Sequence, residues 1–454
     1  MSDEHHRPRI VPASVLLTLA AIVLSRYDLI ERVYRERKRL WRRVRHSLRS
    51  PTRVRESTLV SQSSRAVTRL IHRGEGAIDS VKVALEERFD RDDPIMIMSY
   101  LGYGTTQSLY LKGRVLQDNG ITPASVEDSA WRNLLNIYRR FESDEIPGAR
   151  IEAQFGDQVL EVVTDEEGYF DLSFVPEQPL DPDELWHPIS LRLLDPQPQG
   201  QTTPQATGFL LAPPANTQFG VISDVDDTIV LTNAESLLKM GRTVFMGNVH
   251  TRVPFAGVAA FYRALLAGGT GQNQNPLFYV SSSPWNLYDI LIDFLDIHDI
   301  PFGPLMLRDW GISNDEVLPT KHAPHKVKSI RRIMDTFPHL PFILIGDSGQ
   351  EDPEIYTSIV DSYPERILAV YIRSVSRNPE RPDQILALAE EVKEAGSTLI
   401  LAEDTLIAAQ HAADQGWLMP ESLEDIRQQV LKDRAQGDQG EKDAPPPMVV
   451  EGKE

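Results

Sequence analysis

From Gln218 onward the chain alternates continuous apolar runs with amphipathic stretches, and this constrains its fold more than any other feature. The apolar runs span residues 219–223, 277–280, 342–345, 367–372 and 398–402. Each is short and apolar on both faces, as a strand must be when a parallel sheet is covered on both sides. Between them, residues 258–266, 287–297, 326–337, 382–395 and 405–415 carry helical periodicity. Residues 216–420 are therefore expected to form an α/β parallel sheet flanked by helices. A C-terminal helix and a tail follow over 421–454. Beyond about Gln436 the tail is Gly, Asp, Lys and Pro-Pro-Pro, with little to bury, and is expected to be disordered.

Upstream, between about Leu109 and Ala212, the hydrophobic period falls to two. Residues 109–115, 149–155, 159–163, 169–174 and 189–193 read as half-buried strands separated by turns such as Asp165-Glu166-Glu167-Gly168. An all-β antiparallel sandwich over 95–215 is the expectation, and residues 148–170 resemble the small transthyretin-like sandwiches appended to enzymes and surface proteins. This part holds no catalytic constellation and reads as a packing or recognition module.

The 454 residues contain no cysteine, which excludes disulfides, thiolate zinc sites and a cysteine nucleophile. The net charge of −19 hides an asymmetry. Residues 1–56 hold 14 Lys and Arg against 6 Asp and Glu, and the remainder is strongly acidic, which disfavours nucleic acid as a partner. Within 1–90, residues 10–25 form an uncharged run of 16, short of the roughly 20 a spanning helix needs. A basic amphipathic helix follows, with Arg32, Arg35, Arg39 and Arg42 interleaved with Leu29, Val33, Leu40 and Trp41. Two readings stay open: the arm docks on the acidic body, or it sits on an anionic membrane surface. Both leave the protein cytoplasmic, in the second case at the inner face of the membrane.

The first apolar run ends in Asp224-Val225-Asp226-Asp227-Thr228, which puts carboxylates at the carboxyl edge of the sheet, where open α/β sheets bind ligands. Asp224 and Asp226, two residues apart, can divide the roles of nucleophile and general acid/base. A carboxylate attacking an anionic phosphoryl group needs its repulsion cancelled, so a divalent metal and further carboxylates are expected. Asp347 follows the run at 342–345 after Gly346, and Asp352 comes five residues later. Oxygen ligands without thiols suit Mg²⁺. Ser281, at another strand end, and Lys326, at a helix start, can hold phosphoryl oxygens. His322 and His325 hint at zinc but lack a further soft ligand.

In this order the segments resemble the four motifs of the haloacid dehalogenase superfamily. That resemblance implies a Rossmann-like fold, Asp224 as a nucleophile forming an aspartyl-phosphate, and Asp226 as general acid and base. It implies phosphate binding by Thr228, Ser281, Ser282 and Lys326, with Lys321 as the alternative lysine. It places Mg²⁺ on Asp224, Asp226, Asp347 and Asp352. More narrowly, residues 218–418 resemble the catalytic domain of the actin-patch phosphatidate phosphatases, through Ile222–Ile229, Tyr279–Trp285, Leu307–Gly311 and Ile345–Tyr356. Ser282 stands where that family commonly carries Asn. The resemblance implies Mg²⁺-dependent conversion of phosphatidate to diacylglycerol. Hydrolysis of a soluble phosphomonoester and a phosphate-sensing membrane scaffold are the alternatives. Between Asp226 and Ser281 lie 54 residues, room for a small cap at most, carrying Lys239, Arg242, His250 and Arg252 among apolar residues. They suit either a headgroup entrance or a helix packed on the core.

Overall fold

The computed structural model describes residues 94–117, 145–197, 202–225, 255–308, 323–376 and 378–443. All of these lie within one compact unit, Ser47–Glu454. The basic arm, the segment holding Asp226 and Thr228, and Lys321 and His322 fall outside the described residues.

The first sheet comprises β1 (Ile95–Ser99), β2 (Gly102–Thr105), β3 (Ser108–Gln117), β4 (Arg150–Phe155), β5 (Gln158–Val163), β6 (Tyr169–Phe174), β7 (Trp186–Asp195) and β8 (Gln205–Leu211). Alternation sets its core: Ile189, Leu191 and Leu193 of β7 point inward onto Leu109, Leu111, Ile151 and Phe170, while the intervening residues are exposed.

The expected fold class, an all-β sandwich ahead of a haloacid dehalogenase-like Rossmann sheet, is corrected here. The strands form one mixed eight-stranded sheet of order β1-β3-β2-β8-β7-β4-β5, with β6 on the other edge of β3. The joining element is β2, antiparallel to β3 and parallel to β8. Its glycines permit the close approach: a Cβ on Gly102 would lie 2.3 Å from the Tyr110 carbonyl, and one on Gly104 would lie 2.1 Å from that of Ser108. Period-two hydrophobicity reports half-burial of a strand but neither its partner nor its direction, and Gly102-Tyr103-Gly104 lacks even that pattern.

The second sheet is wholly parallel. Its strands are β9 (Gly220–Asp224), β10 (Leu277–Pro284), β11 (Leu305–Arg308), β12 (Phe342–Asp347), β13 (Ile367–Arg373) and β14 (Leu399–Ala402), in the order β11-β10-β9-β12-β13-β14. Among the described residues the intervening helices are α1 (Val258–Ala267), α2 (Tyr288–Ile297), α3 (Ala323–Thr336), α4 (Asp352–Ser362) and α5 (Arg381–Glu394), and α6 (Thr405–Asp414) follows the last strand. A last helix, α7 (Ser422–Asp443), runs past Gln436, where composition alone predicts a disordered tail. The central strands β9 and β12 are buried along their whole length, as their unbroken apolar runs require.

The two sheets meet beside the carboxyl end of β10. Tyr100, just past β1, stacks on Trp285 with ring centroids 4.5 Å apart and packs on Tyr288 at 4.4 Å. The Leu101 amide donates to the Tyr288 hydroxyl at 2.9 Å. The first sheet thus braces the turn that follows Ser281-Ser282-Ser283.

Candidate active site

Strand order reverses about β9. The chain steps outward through β10 and β11, then returns to lay β12 against the other side of β9. Such a reversal opens a crevice at the carboxyl ends of the strands. Asp224 ends β9 and Asp347 ends β12, so two carboxylates flank that crevice. Val280 is the register partner of Asp224, which carries the next residue, Ser281, to the same edge.

Asp352 arrives from the first turn of α4 and is fully buried. It can lie against the β12 backbone because residue 346 is glycine: a Cβ there would sit 2.6 Å from Asp352 Oδ2. The same oxygen accepts from the Asp347 amide at 3.2 Å. Asp347 Oδ1 accepts from the amides of Gly349 and Gln350 at 2.6 and 3.1 Å. One oxygen from each of Asp224, Asp347 and Asp352 lies within 4.8 Å of the others, and all three residues are buried.

Lys326, 1% exposed, projects from α3 into this group. Its Nζ lies 2.8 Å from Asp224 Oδ1 and 2.7 Å from Asp352 Oδ1, with Gln350 Oε1 at 3.5 Å. Burial by itself would push the ammonium toward deprotonation. The carboxylates of Asp224 and then Asp352 outweigh it and hold the group well above the ordinary lysine range. Three carboxylates against one ammonium leave excess negative charge in a buried, oxygen-only donor set. Such a set fits a hard divalent cation.

Of the sequence-predicted residues, the structure brings together Asp224, Lys326, Asp347 and Asp352. Ser281 is fully buried at the same edge, and its Oγ accepts from the Ser283 amide at 3.0 Å. The hydroxyl oxygen of Ser282 is shielded from solvent with no hydrogen-bond partner among the described residues. His325 is not part of the acidic group.

Several supporting residues carry no sequence signal. Tyr262 of α1 donates to Ser223 Oγ at 2.7 Å, and that hydroxyl donates to the Asp224 carbonyl at 2.7 Å, fixing the end of β9. Arg373, the register partner of Asp347, lies over the Phe255 ring at 3.9 Å and donates to Thr405 at 2.8 Å. Burial lowers its guanidinium to about 10, so it remains a cation at neutral pH. Arg381 holds the loop between Asp347 and Asp352.

Residues 219–374 match the family model of the catalytic domain of phosphatidate phosphatase APP1. Over these residues, which include strands β9 to β13, the chain is similar to the APP1 catalytic domain. Phosphatidate phosphatase APP1 of Saccharomyces cerevisiae is 34% identical over 172 residues, 37% of this chain and 28% of that protein. An uncharacterized protein of Schizosaccharomyces pombe is 31% identical over 158 residues, 34% of this chain and 25% of that one. The chain thus spans under a third of the length of these relatives. Among solved structures, a carbohydrate acetylesterase from Xanthomonas citri aligns at TM-score 0.24 and 12% identity, over 66% of this chain and 75% of that one. The site stands on its own geometry and on the APP1 match.

Proposed function

We propose that the chain hydrolyses a phosphomonoester, with phosphatidate as the substrate and diacylglycerol and inorganic phosphate as products. The observation that carries this reading is the buried Asp224, Asp347 and Asp352 group, with Lys326 set into it, at the carboxyl edge of a domain matching APP1.

Asp224 is the nucleophile. A carboxylate oxygen attacks phosphorus, the ester P–O bond breaks, and its electron pair leaves on the glycerol oxygen. Asp226, two residues on, gives that oxygen a proton, then takes one from the water that attacks the acyl phosphate and frees Asp224. Lys326, held as an ammonium, offsets the charge of the incoming phosphoryl group and keeps Asp224 aimed. The hydroxyls of Ser281, Ser282 and Thr228 hold phosphoryl oxygens. Asp224, Asp347 and Asp352, with Asp226, would hold Mg²⁺, which supplies Lewis-acid neutralisation of phosphoryl charge. The basic residues of 26–55 support residence at an anionic membrane, where each contributes up to about 1 kcal/mol. Among the described residues no helix is long and apolar enough to cross a membrane.

The test is phosphate release from phosphatidate in mixed micelles beside a panel of soluble phosphomonoesters. Release matched by diacylglycerol, abolished by a chelator and restored by Mg²⁺, is the expected outcome. Turnover indifferent to chelation removes the metal, and turnover confined to soluble esters removes the lipid.

A further inference from the structure

The loop from Ser348 to Glu351 joins two members of the acidic group, and one side chain from outside the group holds it. Arg381, the first residue of α5, has a side chain 13% exposed. Its Nε donates to the Ser348 carbonyl at 3.0 Å and its Nη2 to the Gln350 carbonyl at 2.7 Å. Both terminal nitrogens also reach the carboxylate of Glu354, on the first turn of α4, with Nη2 to Oε2 at 2.9 Å. The pairing with Arg381 keeps the Glu354 carboxyl below its usual range, so the fork faces an anion at neutral pH.

The Ser348 carbonyl and the Gly349 N–H belong to one peptide unit. Arg381 therefore polarises the peptide whose N–H is 2.6 Å from Asp347 Oδ1. The Gln350 amide, also on that oxygen, lies in the same clamped loop. On the far side, Ser348 Oγ accepts from the amides of Val375 and Ser376 at 2.8 and 2.9 Å. The loop is thus gripped from the segment just after β13 and from α5, and of these two grips the α5 one runs through a charged group into the Asp347 carboxylate.

We propose that Arg381 is a positioning residue for the cation site, orienting Asp347 through the Ser348–Gly349 peptide and Asp352 through Glu354 at the start of α4. The proposal rests on the reading of Asp224, Asp347 and Asp352 as metal ligands. It requires a guanidinium. Lysine keeps the charge but cannot reach two carbonyls and a carboxylate together.

The test is calorimetric titration of the full chain with Mg²⁺, and with Mn²⁺ followed by electron paramagnetic resonance, for wild type, Arg381→Gln, Arg381→Lys and Glu354→Gln. Thermal melts without metal run alongside. Arg381→Gln is expected to weaken cation affinity about tenfold, the scale on which outer partners of metal ligands act. Arg381→Lys should fall between it and wild type, and Glu354→Gln should lose less than either. The Mg²⁺ concentration for half-maximal rate should rise in step while kcat at saturating Mg²⁺ stays within about threefold. If wild type binds the cation and Arg381→Gln and Arg381→Lys bind it equally well, the proposal is overturned while the metal reading survives. A wild-type chain that binds neither ion overturns both. Should Arg381→Gln fail to fold, Arg381→Lys and Glu354→Gln decide by the same affinities.

Discussion

Asp224→Asn is expected to lower phosphate release by about 10⁴-fold or more while the chain stays folded. The carboxamide is nearly isosteric but is no nucleophile toward phosphorus. Folding survives because Lys326 keeps Asp352 at 2.7 Å and the Asn carbonyl can accept the hydrogen bond that Asp224 Oδ1 accepts at 2.8 Å. The substitution also removes one of three buried carboxylates, which relieves like-charge repulsion in the metal-free protein. The check is a steady-state phosphate assay paired with a thermal melt. Loss of activity with an unchanged melting temperature supports the nucleophile, whereas full activity removes Asp224 from the reaction.

Lys326→Met is expected to cost about 3–5 kcal/mol of stability, because it deletes the cation that lies between two fully buried carboxylates. The folded pKa of Lys326 is raised, so its contribution is complete below the ordinary lysine range and fades only as pH rises through the higher folded value. A divalent cation brings positive charge to the same carboxylates, so Mg²⁺ should raise the melting temperature of Lys326→Met more than that of wild type. Chemical denaturation with and without Mg²⁺ measures both effects. A variant as stable as wild type would mean that Asp224 and Asp352 do not depend on this lysine.

How much of this was legible in the sequence follows from what each signal encodes. The parallel sheet is readable because a strand covered on both faces must be apolar throughout, as 219–222 and 342–345 are. Asp224 and Asp347 are readable because polarity returns abruptly at the ends of those runs. Strand β11 offers only Leu305-Met306-Leu307-Arg308, too short to stand out, and β2 is half glycine. Joining the first eight strands into one mixed sheet depends on pairing across many residues, which a local pattern does not encode. Arg381 is invisible for a related reason. Its acceptors are two carbonyls and a carboxylate that become neighbours only once α5 folds back over the loop after β12.

The most direct test of the account mixes the enzyme with substrate labelled in its phosphate, quenches in acid at successive times, and maps the labelled peptide. The account predicts an acyl phosphate, stable to acid and cleaved by hydroxylamine, on the peptide containing Asp224 in wild type and absent from Asp224→Asn. Label on any other side chain, or phosphate release with no labelled protein at any quench time, contradicts it.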